Sequence, residues 1–217
     1  RIYPNDTVAE NSNGKLSSFD TGGFTFNGSG SSNVNGQDFV AWCFKANGGT
    51  TSSNTDGSIT STVQANTKAG FSIVSYSGTG SAGNVGHSLG VKPDLIICKN
   101  RNSNGVPRWV VYDSVTTAAN KMYLDDASAS SSTGNWGNTE PTSSVFSIGT
   151  STGTNASGGN YITYCFHSVA GYSSIGSYTG NGSTNGPIVN TGFEPAFVMI
   201  KRTDSADNWS ITDNKRA

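Results

Sequence analysis

The residues able to do chemistry are few in this sequence, and most of them stand alone. Two histidines (His87, His167), three cysteines (Cys43, Cys98, Cys165) and three glutamates (Glu10, Glu140, Glu194) are spread over 217 residues. Nucleophilic hydrolysis needs a serine or cysteine in a strained turn beside a histidine, and no GxSxG elbow surrounds any of the many serines. His87 lies in a Gly-rich turn ahead of Pro93, and His167, after Cys165-Phe166, reads as a surface residue at a strand end. Glycoside hydrolysis needs two carboxylates about 5–9.5 Å apart across a cleft. The densest acidic pair, Asp125-Asp126, would point to opposite faces of a strand, so it reads as a solvated loop or strand end.

Metal and phosphate chemistry find no better footing. There is no CxxC pair to seat zinc, and Asn54-Thr55-Asp56-Gly57 lacks the alternating acidic spacing of a calcium loop, so it reads as a turn. Gly78-Thr79-Gly80-Ser81-Ala82-Gly83 lacks the Lys and helix start of a phosphate cradle and reads as a wide hairpin turn. Cys98 sits where the internal repeat described below has Ile200, a packing position, so the cysteines read as buried free thiols. No metal, no cofactor and no enzymatic activity are expected.

One residue stands out as a binding candidate. Trp136 lies in Gly134-Asn135-Trp136-Gly137-Asn138, a polar loop where a large ring can stack on a sugar while Asn135 and Asn138 supply amide hydrogen bonds. The competing reading is a ring folded back as a lid. Trp42, Trp109 and Trp209 read as core. Lys99 and Lys201, with Arg101 and Arg202 beside them, recur at strand ends, where they either contact acidic sugars or keep a sheet edge soluble.

The elements that must carry these residues are strands. Gly, Ser, Thr and Asn fill about half the chain, charged residues only 12%, and the net charge is −1. That composition excludes a charged helical protein and lacks the basic face that nucleic acid requires. No run approaches the roughly 18 apolar residues of a membrane span, so no membrane insertion is expected. Apolar runs bounded by Gly, Asn, Ser and Pro include Phe39–Phe44, Phe71–Tyr76, Leu95–Cys98, Trp109–Tyr112, Val145–Ile148, Tyr161–Phe166, Phe197–Ile200 and Trp209–Thr212. They favour β-branched and aromatic types and several alternate, the pattern of an all-β protein of antiparallel β-sandwich (jelly-roll or lectin-like) modules.

The modules are in tandem. Ala69-Gly70-Phe71 through Ser81 returns at Ala170-Gly171-Tyr172 through Ser183, Pro93 through Lys99 returns as Pro195 through Lys201, and Trp109 and Asp113 return as Trp209 and Asp213. A second register, offset by 122, matches Phe24 through Phe44 to Phe146 through Phe166. Residues 69–168 therefore form a complete unit, 1–46 the C-terminal half of another and 169–217 an N-terminal half, with 47–68 an inserted loop or linker. The chain opens at Arg1 rather than Met, as a processed or excerpted chain would. Three arrangements follow: an excerpt of a longer array, a split unit made from the two halves within the chain, or halves exchanged between neighbouring chains.

The motifs GFSIVSYSG (70–78), GHSLG (86–90) with Pro93, IICKNR (96–101) and TGFEPAFVMIKR (191–202) resemble a repeated module of tail-fibre-like and other virion proteins of bacteriophages. The insert around Asn54–Val63 is similar to the same family. The resemblance implies a lectin-like sandwich on the virion surface, outside the cell. It implies a homo-oligomer that packs on other virion proteins or copies of itself and attaches to host glycans, and it brings no catalytic residues. The alternatives are a decoration or array protein without a ligand, a polysaccharide-degrading tail spike, and a cellular surface-layer protein of the same composition.

Overall fold

Strands buried on one face place every second residue inward, and the run 71–76 shows it: Val74 and Tyr76 turn inward together with the small Ser72. In the computed structural model, which describes residues 1–11, 16–28, 32–47, 49–102 and 107–215, the runs become a nearly all-β fold. The strands are β1 (Leu16–Asp20), β2 (Gly23–Phe26), β3 (Ser52–Asn54), β4 (Ser61–Asn66), β5 (Phe71–Ser77), β6 (Gly83–Gly86) and β7 (Leu95–Asn100). They continue with β8 (Trp109–Asp113), β9 (Asn120–Tyr123), β10 (Ser131–Ser132), β11 (Val145–Ile148), β12 (Asn160–Phe166), β13 (Phe197–Ile200) and β14 (Ser210–Asp213). A single helical turn, α1 (Thr152–Asn155), precedes β12.

Eight strands form one antiparallel sheet in the order β10-β9-β8-β7-β12-β5-β4-β3. The last strand of the unit, β12, thus lies in the middle, pairing with β5 through Cys165↔Ser72 and with β7 through Cys165↔Ile96. The inward row across these three strands is Ser72, Val74 and Tyr76, then Cys165, Thr163 and Tyr161, then Ile96, Cys98 and Asn100. The small sheet of β6 and β11 is the second layer, and its Val85, Phe146 and Ile148 join Leu89 and Trp136 in the core. The expected antiparallel sandwich is therefore present, with one large and one small sheet.

Three expectations about this architecture need correction. Residues 47–68 are not a loop: β3 and β4 come from them, and β4 pairs with β5 through Val63↔Val74. The complete unit therefore begins near residue 52 instead of 69. Residues 78–83 are not a hairpin turn, because β5 and β6 belong to different sheets. The backbone amides of Thr79 and Gly80 bond instead to the Asn155 side chain (2.7 Å) and carbonyl (3.1 Å). Residues 39–44 do not form a strand among the described residues, and Trp42 and Cys43 are exposed where a core position was expected.

The turns repeat along with the strands. Gly36 and Gly158, Gly70 and Gly171, Gly80 and Gly182, and Gly90 and Gly192 are repeat equivalents, and all eight have φ between 65° and 76° or, for Gly192, 80°. At Gly70 the constraint is double: φ is +65°, and a Cβ would lie 2.5 Å from the His167 carbonyl oxygen. The half-units therefore keep the local bends of the complete unit.

His87 ties the end of β6 to the segment that leads into β11. Its Nδ1 accepts from the Leu89 amide and its Nε2 pairs with the Thr142 carbonyl, each at 3.2 Å, so the ring carries its proton on Nε2. Burial holds this imidazole below the ordinary histidine value. The unfolded chain therefore takes up a proton at higher pH than the folded chain does. The stability contributed by neutral His87 is full above about pH 6.5 and is lost as pH falls through the lowered folded value. Urea titrations from about pH 7.5 to 4.5 should show the unfolding midpoint falling, with the slope reduced in His87→Gln. An identical slope in wild type and variant would assign the loss to other groups.

Candidate functional site

The binding residues expected from the sequence are structural. Trp136 is 1% exposed and packs edge-on against Tyr112, centroids 6.0 Å apart. Asn135 is buried too: its amide donates to Ser151 Oγ at 2.9 Å, its Oδ1 accepts from Thr133 Oγ1, and its carbonyl accepts from Thr154 Oγ1 at 2.9 Å. Only Asn138 is exposed, with φ of 51° in the turn beyond the ring. The Trp136 loop is thus a lid on the core and offers no stacking platform, because the ring is buried and Asn135 bonds inward.

The other candidates resolve in the same direction. Cys98 and Cys165 are buried free thiols, and burial pushes Cys98 up to about 11 and Cys165 higher still. His167 is buried, contrary to the surface position expected of it, and its Nδ1 lies 2.8 Å from the Ser168 carbonyl. Asp56 closes a turn with Asn54, as read from the sequence.

The carboxylates are engaged by cations and amides. Asp125 and Asp126 are not simply solvated, since the Arg108 guanidinium bridges both while lying 4.1 Å over the Tyr123 ring. Bonds from the Ser128 hydroxyl and amide, then Arg108, hold Asp126 down at about 2. Glu140 takes bonds from Lys92 (2.8 Å), Tyr112 (2.7 Å) and the Ala118 amide (2.7 Å).

What the fold does build, twice, is a junction between units. In the first copy, residues 1–11 lie against β7 and β8. Trp109 Nε1 donates to the Tyr3 carbonyl (2.6 Å), Lys99 Nζ to the carbonyls of Asp6 (3.1 Å) and Pro107, and the Glu10 amide to the Arg101 carbonyl (2.9 Å). The Arg101–Glu10 ion pair closes its rim at 2.7 Å. In the second copy, residues 123–130 meet β13 and β14. Trp209 Nε1 donates to the Tyr123 carbonyl (2.7 Å), Lys201 Nζ to the carbonyls of Ala127 (3.2 Å) and Asp207 (2.8 Å), and the Ser130 amide to the Thr203 carbonyl (2.9 Å).

Each partner of the first junction has its counterpart in the second, at an offset of 120 or 121 for the docking segment and 100 or 102 for the strands. Lys99 is not a strand-end contact to solvent. It is 0% exposed, 5.6 Å from the Trp109 ring, and burial lowers its ammonium below the ordinary lysine value, with Asp125 and Asp6 opposing. A buried ammonium is tolerated here because carbonyls of two segments satisfy its donors. Trp109 in turn stacks on Tyr164 at 6.3 Å.

Over residues 1–217 the sequence matches a family described as a domain of unknown function, DUF7483. The chain belongs to that family. No curated protein and no solved structure matches it. The DUF7483 match runs through both half-units as well as the complete one, so it covers both junctions.

Sequence reasoning singled out Lys99, Lys201, Trp109 and Trp209 as recurring but missed their partners. Those partners are main-chain carbonyls, which leave no mark on residue type. Trp109→Phe removes the bond to Tyr3, worth about 1 kcal/mol, together with part of the ring area that packs on Tyr164 and Lys99. The Glu10 amide should then exchange its hydrogen roughly fivefold faster, with the Ser130 amide of the other junction unchanged. An unaltered Glu10 rate would show that the indole bond does not hold the segment.

Proposed function

We propose that this chain is a structural module of an extracellular surface assembly, of the virion fibre or decoration kind its motifs resemble, acting by packing on copies of itself and on neighbouring proteins. The observation that carries this reading is where the recurring residues are spent. Lys99 and Lys201, and Trp109 and Trp209, are used at the same unit-to-unit contact, not at a pocket. The recurring donors thus serve packing between units of this repeat, with no ligand of their own. Large apolar side chains outside the complete unit, such as Phe19 at 85% and Ile188 at 97% exposed, offer further surface for neighbours.

Attachment to host glycans is the second reading, and the rim of the first junction favours it. A shallow polar recess of about 350 Å³ is lined by Ala9, Glu10, Arg101, Asn102 and Asn160. A neighbouring recess of about 200 Å³ shares Arg101 and Asn160 and adds Thr60, Thr62, Ser75 and Ser77, with the buried Tyr76 and Tyr161 at its floor. Hydroxyl, amide and guanidinium groups in a shallow site suit sugar hydroxyls and acid groups.

Sedimentation over a wide concentration range separates the two. The packing reading expects association that grows with concentration and is weakened in Phe19→Ser with Ile188→Ser. A protein that stays monomeric throughout, binds acidic oligosaccharides and loses that binding in Arg101→Ala would overturn it in favour of attachment.

A further inference from the structure

We propose that the two half-units close on each other within one chain: residues 38–44 enter the free edge of β13 as the central strand of a second sheet, taking the place that β12 has in the first. This goes beyond the assembly reading and stands whether or not the chain associates.

One edge of the slot is already formed. β13 and β14 reproduce β7 and β8 pair for pair: Leu95↔Asp113 becomes Phe197↔Asp213, Ile96↔Tyr112 becomes Val198↔Thr212, and Ile97↔Val111 becomes Met199↔Ile211. β7 has β12 on its other edge, whereas β13 pairs only with β14 among the described strands. The inward positions show the consequence. Ile96 and Cys98 are fully buried, while their equivalents Val198 and Ile200 are 37% and 38% exposed.

The filler has the matching pattern. Phe39-Val40-Ala41-Trp42-Cys43-Phe44 repeats Tyr161-Ile162-Thr163-Tyr164-Cys165-Phe166, and its large side chains, Trp42 at 47% among them, are likewise exposed. Neither surface is stable alone in water, and each covers the other.

Two contacts place the filler at the slot in the same chain. The Trp42 and Phe197 rings meet edge to face, centroids 5.3 Å apart. Their equivalents, Tyr164 and Leu95, are diagonal neighbours on one face of the β12–β7 ladder. Phe44 also packs on Phe166, its own repeat equivalent, at 5.8 Å, and on Phe71 at 5.5 Å. A residue that meets its own equivalent lies near an approximate two-fold axis.

The junctions agree with that axis. The first half-unit docks on the complete unit through residues 1–11, and the complete unit docks on the last half-unit through residues 123–130. If the halves form one second unit, the two junctions are a single reciprocal contact related by the two-fold.

The repeat fixes the register: Phe44 opposite Phe197, Cys43 opposite Val198, Trp42 opposite Met199 and Ala41 opposite Ile200. V198C therefore places a thiol across from the native Cys43, at the Cα separation of antiparallel partners, which a disulfide spans. Mild oxidation of the full chain should link the two positions in a species that migrates as a monomer, identified by mass spectrometry of the joined peptides. M199C, one position on and facing the other way, should not link to Cys43.

A linked dimer with V198C would show that a second copy fills the slot and would overturn the proposal. So would two free thiols, or equal linkage in V198C and M199C, which would mean loose collision without register. Should V198C fail to fold, W42C with M199C in a Cys43→Ala background tests the neighbouring pair by the same readout. Linkage in a protein that never associates keeps this proposal and removes the assembly reading; dimer linkage does the reverse.

Discussion

The place of β12 governs the rest of the molecule. It is the last strand of its unit in sequence and the middle strand of its sheet, hydrogen-bonded to β5 on one side and β7 on the other. A unit of this topology cannot close until its final segment arrives, because the strands made earlier leave a slot one strand wide with two unsatisfied edges. Cutting the repeat near its middle therefore yields two unlike pieces, one with a slot and one with a filler. Residues 170–215 hold one edge of the first, β13, and residues 1–46 the second, and most of the exposed aromatic and aliphatic side chains gather in those two stretches.

The same topology accounts for the chemistry at the junctions. With its inward face covered by β6, β11 and the Trp136 lid, the large sheet has its other face free beside β7 and β8, and there Lys99 and Trp109 take hold of the backbone of residues 3–6. Main-chain carbonyls are what a segment without regular structure has to offer, and an ammonium and an indole N–H are donors long enough to reach them. In a chain with only 12% charged residues, several of the few charges are used inside the fold: Lys99 on carbonyls, Arg108 on Asp125 and Asp126, Glu140 on Tyr112 and the Ala118 amide. Breaking either junction leaves donors and acceptors orphaned together, which makes it specific as well as adhesive.

Much of this was legible in the sequence. The runs at 71–76, 95–98, 109–112, 145–148, 161–166 and 197–200 are strands because alternation and β-branched or aromatic types dictate it, and the two repeat offsets mark which pieces are equivalent. β3 and β4 were not legible: Ser-Ser-Asn and Ser-Thr-Val-Gln-Ala-Asn bury little that is apolar, and no second copy of them exists to compare. Trp136 had two readings, platform or lid, because Gly and Asn flanks look like solvent-facing loop; the structure has the lid, with Asn135 turning its amide and carbonyl inward to Ser151 and Thr154. Trp42, by contrast, misled. Its pattern is that of a core strand, and its exposure reflects a sheet position that must be filled by pairing, which residue type does not record.

The claim on which the account rests is that residues 38–44 have a strand's role in a second sheet, and residue-resolved amide hydrogen exchange of the intact chain tests it most directly. The Trp42, Cys43 and Phe44 amides should be protected as the Tyr164, Cys165 and Phe166 amides are, by factors far above those of the exposed turn at Asn181–Ser183. Exchange of 42–44 at the unprotected rate, with 164–166 still protected, would contradict the account and leave the half-units as separate surfaces.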